Sequence, residues 1–312
     1  MNKILVTGGA GFIGSNLVKL LVEKGFSVRV LDNFSTGHEI NLKGFPVEIM
    51  TGDIRNEKEV DKAVEGVDTV FNLAASVGRQ KSLSFPRQDS EVNVIGTINI
   101  LEAVRKFKVG CLVHTSSAAT FGEIGPSAIG EDHPQIPDSP YGVSKLAGEK
   151  MVLCYGELYN IRVVCLRYFN VYGVNQRFDT YGNVIPIFAN RVYRDQPMVI
   201  YGDGKQTRDF VNAKDVAMIN SLAAEKAASG KVYNVGSGTS IQISELANLM
   251  KDVSKKRISV VYEPARPADV LHCSADISLA KRELGFSPST NIHAGLEEYY
   301  EWFKKDKETY GN

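Results

Sequence analysis

The 312-residue sequence is short of several things, and each shortage narrows what the chain can be. It has four cysteines, Cys111, Cys154, Cys165 and Cys273, with no CxxC pair among them. That points away from a disulfide framework and towards reduced thiols in a cytoplasmic protein. Its five histidines are scattered without ligand spacing, so no metal site is expected. There is no excess of either charge, since Lys+Arg and Asp+Glu both number 36. A nucleic-acid or membrane partner is therefore not expected. No apolar run reaches the length of a membrane span, and "MNKILVTGGAGF" meets glycine too soon for a secretory signal. There is no internal repeat and no low-complexity tract. A chain of this length with 43% hydrophobic residues can bury a large core.

What the sequence does have is alternation. "KILVTG", "SVRVLD", "VEIMTGD", "TVFNLAA", "GCLVHTSS" and "RVVCLRYFN" are short runs rich in β-branched residues. Helical patterns lie between them at 12–24, 57–64, 92–107 and 141–159. This predicts a doubly wound parallel sheet of the Rossmann kind. After Asn170 the pattern loosens. Helices are expected near 186–194, 215–226 and 244 and at the C-terminus, with "VYNVGS" returning to the sheet. The predicted division is a dinucleotide-binding domain of residues 1–170 plus about 209–237. Residues 171–208 plus 238–312 would form a smaller α+β substrate-binding lobe.

"TGGAGFIG" places Gly8, Gly11 and Gly14 between a strand and a helix. Bare backbone there lets a loop approach a pyrophosphate, and the helix N-terminus offers it free N–H groups and a positive dipole. Asp32 ends the second strand, where a carboxylate can bond both ribose hydroxyls and repel a 2′-phosphate. No arginine follows it directly, so NAD is expected rather than NADP.

Three Tyr-x-x-x-Lys spacings occur: Tyr141 to Lys145, Tyr201 to Lys205 and Tyr300 to Lys304. Only the first opens a helix directly after a strand that ends in hydroxyls, "HTSSAATFG". Four residues apart on a helix is about 6 Å. At an effective dielectric near 20, Lys145 then favours a Tyr141 phenolate by roughly 2.8 kcal/mol, about two pKa units. Tyr141 is the expected general base, with Ser117 sharing the substrate proton.

"TGGAGFIG", "LDNFSTG", "GDI", "NLAA", "NVIGT", "SSAATFG", "YGVSK", "LRYFNVYG", "NVIP", "GDGKQTRDF" and "RPADV" stand in an order that resembles the extended short-chain dehydrogenase/reductases. The likeness is to the NAD-dependent epimerase/dehydratase branch and covers essentially the whole chain. It implies that Gly8, Gly11, Phe12, Ile13, Gly14, Asp32, Asn33, Asp53, Ile54, Ala74, Asn93, Tyr141 and Lys145 hold NAD, with Asp53 and Ile54 at the adenine. It implies that Asn170, Asn183, Val184, Tyr201, Arg208, Arg266 and Asp269 hold the nucleoside diphosphate of a UDP-sugar. Two arginines suit a diphosphate through forked, charged hydrogen bonds. The chain departs from the family pattern at Ala268, commonly Gly, and at Phe121, more often Tyr.

Dehydratases and decarboxylases of this branch carry an acid just after the strand-end hydroxyl. Here Ala118 and Ala119 follow Ser117, and methyls cannot move a proton. The resemblance is therefore to UDP-hexose 4-epimerases, with UDP-glucuronate 4-epimerases and other nucleotide-sugar oxidoreductases or dehydratases as alternatives. A catalytically silent NAD-binding scaffold is a further alternative, against which both Tyr141 and Lys145 are retained. Four residues after Asp269, Cys273 stands where the resembled epimerases line the sugar pocket. A small residue there implies room for an acetamido group. The resemblance also implies a homodimer through the helices from Val92 and Tyr141, with Ile95, Ile98, Leu101, Leu146, Val152 and Tyr155 as candidate contacts.

Overall fold

The computed structural model describes residues 3–310 except 123–124, 126, 180–181 and 266–270, with the backbone alone at 310. The chain runs β1 (Lys3–Thr7), α1 (Phe12–Glu23), β2 (Ser27–Asp32), β3 (Val47–Thr51), α2 (Glu57–Val64) and β4 (Thr69–Asn72). Next come α3 (Arg79–Ser84), α4 (Pro86–Ser90), α5 (Gly96–Lys106), β5 (Cys111–Ser117), α6 (Pro140–Tyr159), β6 (Val163–Tyr168) and β7 (Asn170–Tyr172). The remainder is α7 (Val184–Tyr193), β8 (Met198–Tyr201), β9 (Thr207–Asn212), α8 (Ala213–Lys226), β10 (Lys231–Val235), β11 (Ser240–Gln242), α9 (Ile243–Ser254), β12 (Val260–Glu263), α10 (Ser278–Leu284) and α11 (Ile292–Tyr310).

Seven parallel strands form the main sheet in the order β10-β6-β5-β4-β1-β2-β3. Strands covered on both faces read as unbroken apolar runs, and β6 ("VVCLRY") is buried along its whole length. One face packs on α1, α8 and α10 through Leu17, Val18, Val216, Ile219 and Leu284. The other packs on α2, α5 and α6 through Val60, Ile100, Leu101, Val104 and Val152. The expected Rossmann sheet and the return of "VYNVGS" beside β6 are both present. A second core of Tyr172, Phe188, Met198, Leu246, Tyr299 and Phe303 gathers the remaining elements. These include a three-stranded sheet, β11-β9-β7, and the pair β12-β8.

Sequence periodicity placed a helix start at Val92, but helical backbone begins earlier. Residues Pro86–Ser90 lead through a wide π turn at Glu91–Ile95 into α5. "FPRQDS" is polar and opens with proline after its phenylalanine, so it shows no apolar stripe. Leu101 and Val152, expected at a subunit interface, are fully buried against the sheet of their own chain. An amphipathic helix facing the core uses its apolar positions there first. Ile95, by contrast, is 50% exposed.

Candidate active site

A cavity of about 800 Å³ opens at the C-terminal ends of the central strands. The sheet order reverses there, with β1 lying between β4 and β2, and such switch points are where doubly wound sheets bind ligands. Gly8, Gly11, Phe12, Ile13, Gly14, Asp32, Asn33, Asp53, Ile54 and Ala74 form one part of its wall. Ser117, Tyr141, Lys145 and Asn183 form another.

The glycine loop is tightly folded. Gly8 has φ +68°, and a Cβ on it would meet Ala74 Cα at 2.9 Å. A Cβ on Gly14 would stand 2.1 Å from the Gly8 carbonyl oxygen. Gly11 caps α1 without any side-chain bond, which leaves first-turn N–H groups at the cavity. Asp32, 7% exposed, accepts the Ala10 N–H at one oxygen and the Phe34 N–H at the other, both at 2.9 Å. Its two oxygens keep further lone pairs for a diol. These features fit a dinucleotide with a free 2′-hydroxyl.

Asp53 is held from three directions. Arg55 bonds both of its oxygens, at 3.0 and 2.7 Å, and Asn33 Nδ2 donates at 2.8 Å. The Arg55 hydrogen bond leads in holding this carboxyl down at about 2. Arg55 also reaches the cavity, but its charge is committed to Asp53. Asn93 lies behind the wall at the π turn. It accepts the Ser76 N–H at 2.9 Å, donates to the Ser76 carbonyl at 3.0 Å, and so fixes the wall segment after Ala74.

Helix α6 delivers the catalytic candidates. Ser139 Oγ accepts the Gly142 N–H at 3.2 Å, and Pro140 takes the first helical position, so the helix starts at Tyr141's doorstep. Tyr141 is half-buried and hydrogen-bonded to the Ser117 side chain. Lys145, 4% exposed, gives its Nζ proton to the Thr115 carbonyl. The expectation that Lys145 brings the phenol down is corrected here. Burial raises Tyr141 above its usual value of 10, the Ser117 bond offsets part of this, and the Asp89 carboxylate adds to the rise. Lys145 is itself lowered to about 8, by burial first.

Lys145 therefore carries a pH signature. Between about 8 and 10.5 the unfolded chain holds this proton more firmly than the folded one, so the cost of burying the cation fades as pH rises. Lys145→Met is expected to gain more stability over the parent at pH 7.5 than at pH 10. Urea midpoints at the two pH values measure this, and an equal difference at both refutes it.

Other expected residues lie outside the described cavity wall. Val184 opens α7 beside Asn183. Tyr201 ends β8, and Arg208 lies on β9. Asn170 donates to the Asp209 carbonyl at 3.2 Å and to Cys273 Sγ at 3.5 Å. Cys273 packs with Phe121, Ile129, Phe169 and Ala275, and Phe169 alone of these reaches the cavity. Arg266, Ala268 and Asp269 lie outside the described residues. Among the described residues no cluster of His, Cys, Asp or Glu could hold a metal ion, and no helix is long and apolar enough to cross a membrane.

Sequence reasoning missed His38, Asn175, Gln176, Arg177 and Phe178, which also line the cavity. They sit in loops without periodicity, though "LDNFSTG" marked the neighbourhood of His38. It also missed Glu149 and Arg167, a buried pair behind Ser117. Arg167 Nε and NH2 meet the two Glu149 oxygens at 2.9 and 2.7 Å.

The family model for GDP-mannose 4,6 dehydratase matches residues 5–299. A UDP-glucose 4-epimerase of Thermus thermophilus, solved in complex with NAD, is 34% identical and superposes with a TM-score of 0.89, covering 97% of this chain and 99% of that one. A UDP-N-acetylglucosamine 4-epimerase of Methanobrevibacter ruminantium, solved with UDP-N-acetylmuramic acid, is 32% identical with a TM-score of 0.93, covering 98% and 99%. A dTDP-glucose 4,6-dehydratase of Streptomyces niveus is 31% identical over 317 residues, covering 98% of this chain and 94% of its own length.

Proposed function

Because the chain belongs to the NAD-dependent epimerase/dehydratase family and uses NAD, we propose that it is a 4-epimerase of UDP-sugars. The observation that carries this reading is the cavity-facing Tyr141–Ser117 hydrogen bond, followed directly by Ala118 and Ala119. Tyr141 takes the proton from the sugar O4, and Ser117 hands it across. When bound, NAD would supply the hydride-accepting and hydride-donating chemistry, and its positive charge would favour the Tyr141 phenolate. Gly8, Gly11, Phe12, Ile13, Gly14, Asp32, Asn33, Asp53, Ile54 and Ala74 would hold it, while Asn93 braces the wall. The 4-keto sugar then turns in the cavity, and Tyr141 gives the proton back to the inverted alkoxide. With alanines after Ser117, no acid at the strand end diverts the keto sugar into dehydration. Asn170, Asn183, Val184, Tyr201, Arg208, Arg266 and Asp269 are assigned to the UDP portion, which must stay anchored while the sugar turns. Incubation with UDP-glucose, UDP-GlcNAc and UDP-glucuronate, with products identified by NMR, tests the reading. Release of a dehydrated or decarboxylated sugar defeats it.

Cys273 supports a finer assignment, the UDP-GlcNAc/UDP-GalNAc pair together with UDP-glucose/UDP-galactose. A tyrosine at 273 would press on Phe169 and narrow the cavity. Cys273→Tyr is expected to collapse turnover of the acetamido substrate while UDP-galactose turnover survives. Equal effects on both remove the support for this assignment.

A homodimer is part of the proposal. Ile95, Val143, Met151, Leu158 and Tyr159 leave apolar surface on α6 and the adjoining π turn exposed. A closed two-fold pairing buries such faces. Sedimentation at micromolar concentration is expected to show a dimer, and a monomer contradicts it.

A further inference from the structure

The chain leaving β7 passes along the cavity, where Asn175, Gln176, Arg177 and Phe178 form part of the wall. This segment is fastened on two sides. Towards α1, Asn16 Nδ2 donates to the Val174 carbonyl and Asn175 Nδ2 donates to Ser15 Oγ, both at 2.9 Å. Towards α11, the Tyr299 hydroxyl donates to the Gln176 carbonyl at 2.9 Å. The Arg177 guanidinium grips Asp306 with two bonds, Nε to Oδ2 at 3.1 Å and NH2 to Oδ1 at 2.6 Å. Its third arm, NH1, donates to Asn41 Oδ1 at 3.0 Å. Asn41 Nδ2 in turn donates to the Ala10 carbonyl, inside the glycine loop, at 2.8 Å. The ion pair is largely withdrawn from water, with the Arg177 and Asp306 side chains 18% and 9% exposed. The guanidinium also lies 5.6 Å from the centre of the Trp302 ring.

We propose that Arg177 and Asp306 form a latch that retains NAD by clamping the wall segment Val174–Phe178 to the glycine loop and the C-terminal helix. Of the fastenings, this is the charged, two-pronged one, so it dominates the stiffness of the segment. A redox-neutral cycle gives the latch its purpose. The nicotinamide that takes a hydride must still be in place to return it, and escape in mid-cycle strands a keto sugar. That purpose rests on the proposed 4-epimerase cycle, whereas the latch itself acts on NAD binding, so release rate and sugar turnover can fail separately.

The test is NAD content after purification and the release rate of labelled NAD from the intact protein. Arg177→Ala and Asp306→Ala are each expected to speed release about tenfold or more, equivalent to about 1.4 kcal/mol. Arg177→Asp combined with Asp306→Arg is expected to restore slow release. Val64→Ala, in the core between α2 and the main sheet, serves as a control for general destabilisation. Parental release rates in both single variants, or equal acceleration by Val64→Ala, overturn the proposal.

Discussion

Tyr141→Phe is expected to lower kcat by about 10²–10⁴-fold, the range that general acid–base catalysis supplies. The phenol is the hydroxyl in the cavity wall that combines a bond to the strand-end Ser117 with a buried lysine one helical turn away. Phenylalanine keeps the ring in the cavity wall and loses only the hydroxyl, so KM should move far less than kcat. Tyr300→Phe is the matched control. Tyr300 has the same spacing to Lys304 but is 1% exposed within the second core, and its hydroxyl has no hydrogen-bond partner among the described residues. Losing an unsatisfied buried hydroxyl should leave turnover untouched and stability unchanged or slightly higher. Steady-state kinetics with a UDP-sugar decides the matter, and comparable losses in the two variants would sink the assignment of Tyr141.

Glu149→Ala is expected to cost the fold about 3–5 kcal/mol, the usual penalty for breaking a buried ion pair. Out of a typical total of about 5–15 kcal/mol, that is a large share. Glu149 is fully buried, and besides Arg167 it accepts Ser116 Oγ at 2.6 Å and Gln135 Nε2 at 3.1 Å. Burial pushes its carboxyl up, but the bonds and charge of Arg167 outweigh this and hold it below 4.5. The pair therefore stabilises the protein above pH 4.5, and its contribution is lost as pH falls below that value. Glu149 lies one turn beyond Lys145, so the pair pins α6 to β6 and the end of β5. Urea unfolding at pH 7 measures the loss. A loss below about 1 kcal/mol, the scale of an exposed pair, would show that the buried pair contributes little.

The dinucleotide half was legible because two independent patterns agree there. Apolar runs alternate with helices, and Gly8, Gly11, Gly14 and Asp32 fall at the ends of the right strands. Tyr141 and Lys145 stood out because helical spacing coincides there with the strand-end hydroxyls just before them. What Lys145 does to Tyr141 was not legible, because spacing says nothing of burial: both groups are desolvated, and the lysine turns to Thr115. The elements around the second core were hard to read. β7 and β11 have three residues each, and they meet through β9, so no local pattern announces them. Arg167 stands inside the apolar run "RVVCLRYFN", and only the fold shows that Glu149 waits opposite. Leu101 and Val152 show the converse, since periodicity cannot say whether an apolar face meets its own sheet or another subunit.

The last strand of the main sheet has a consequence for how the protein is made. β10 lies beside β6, yet about sixty residues separate the end of one from the start of the other. On a ribosome adding about 5–20 residues per second, β6 waits about 3–12 s for its neighbour. During that interval "VVCLRY", buried throughout in the finished protein, presents an unpaired apolar edge. Nascent chains stalled before Lys231 should therefore be the aggregation-prone species, and chaperone demand should fall sharply once Val235 has cleared the exit tunnel.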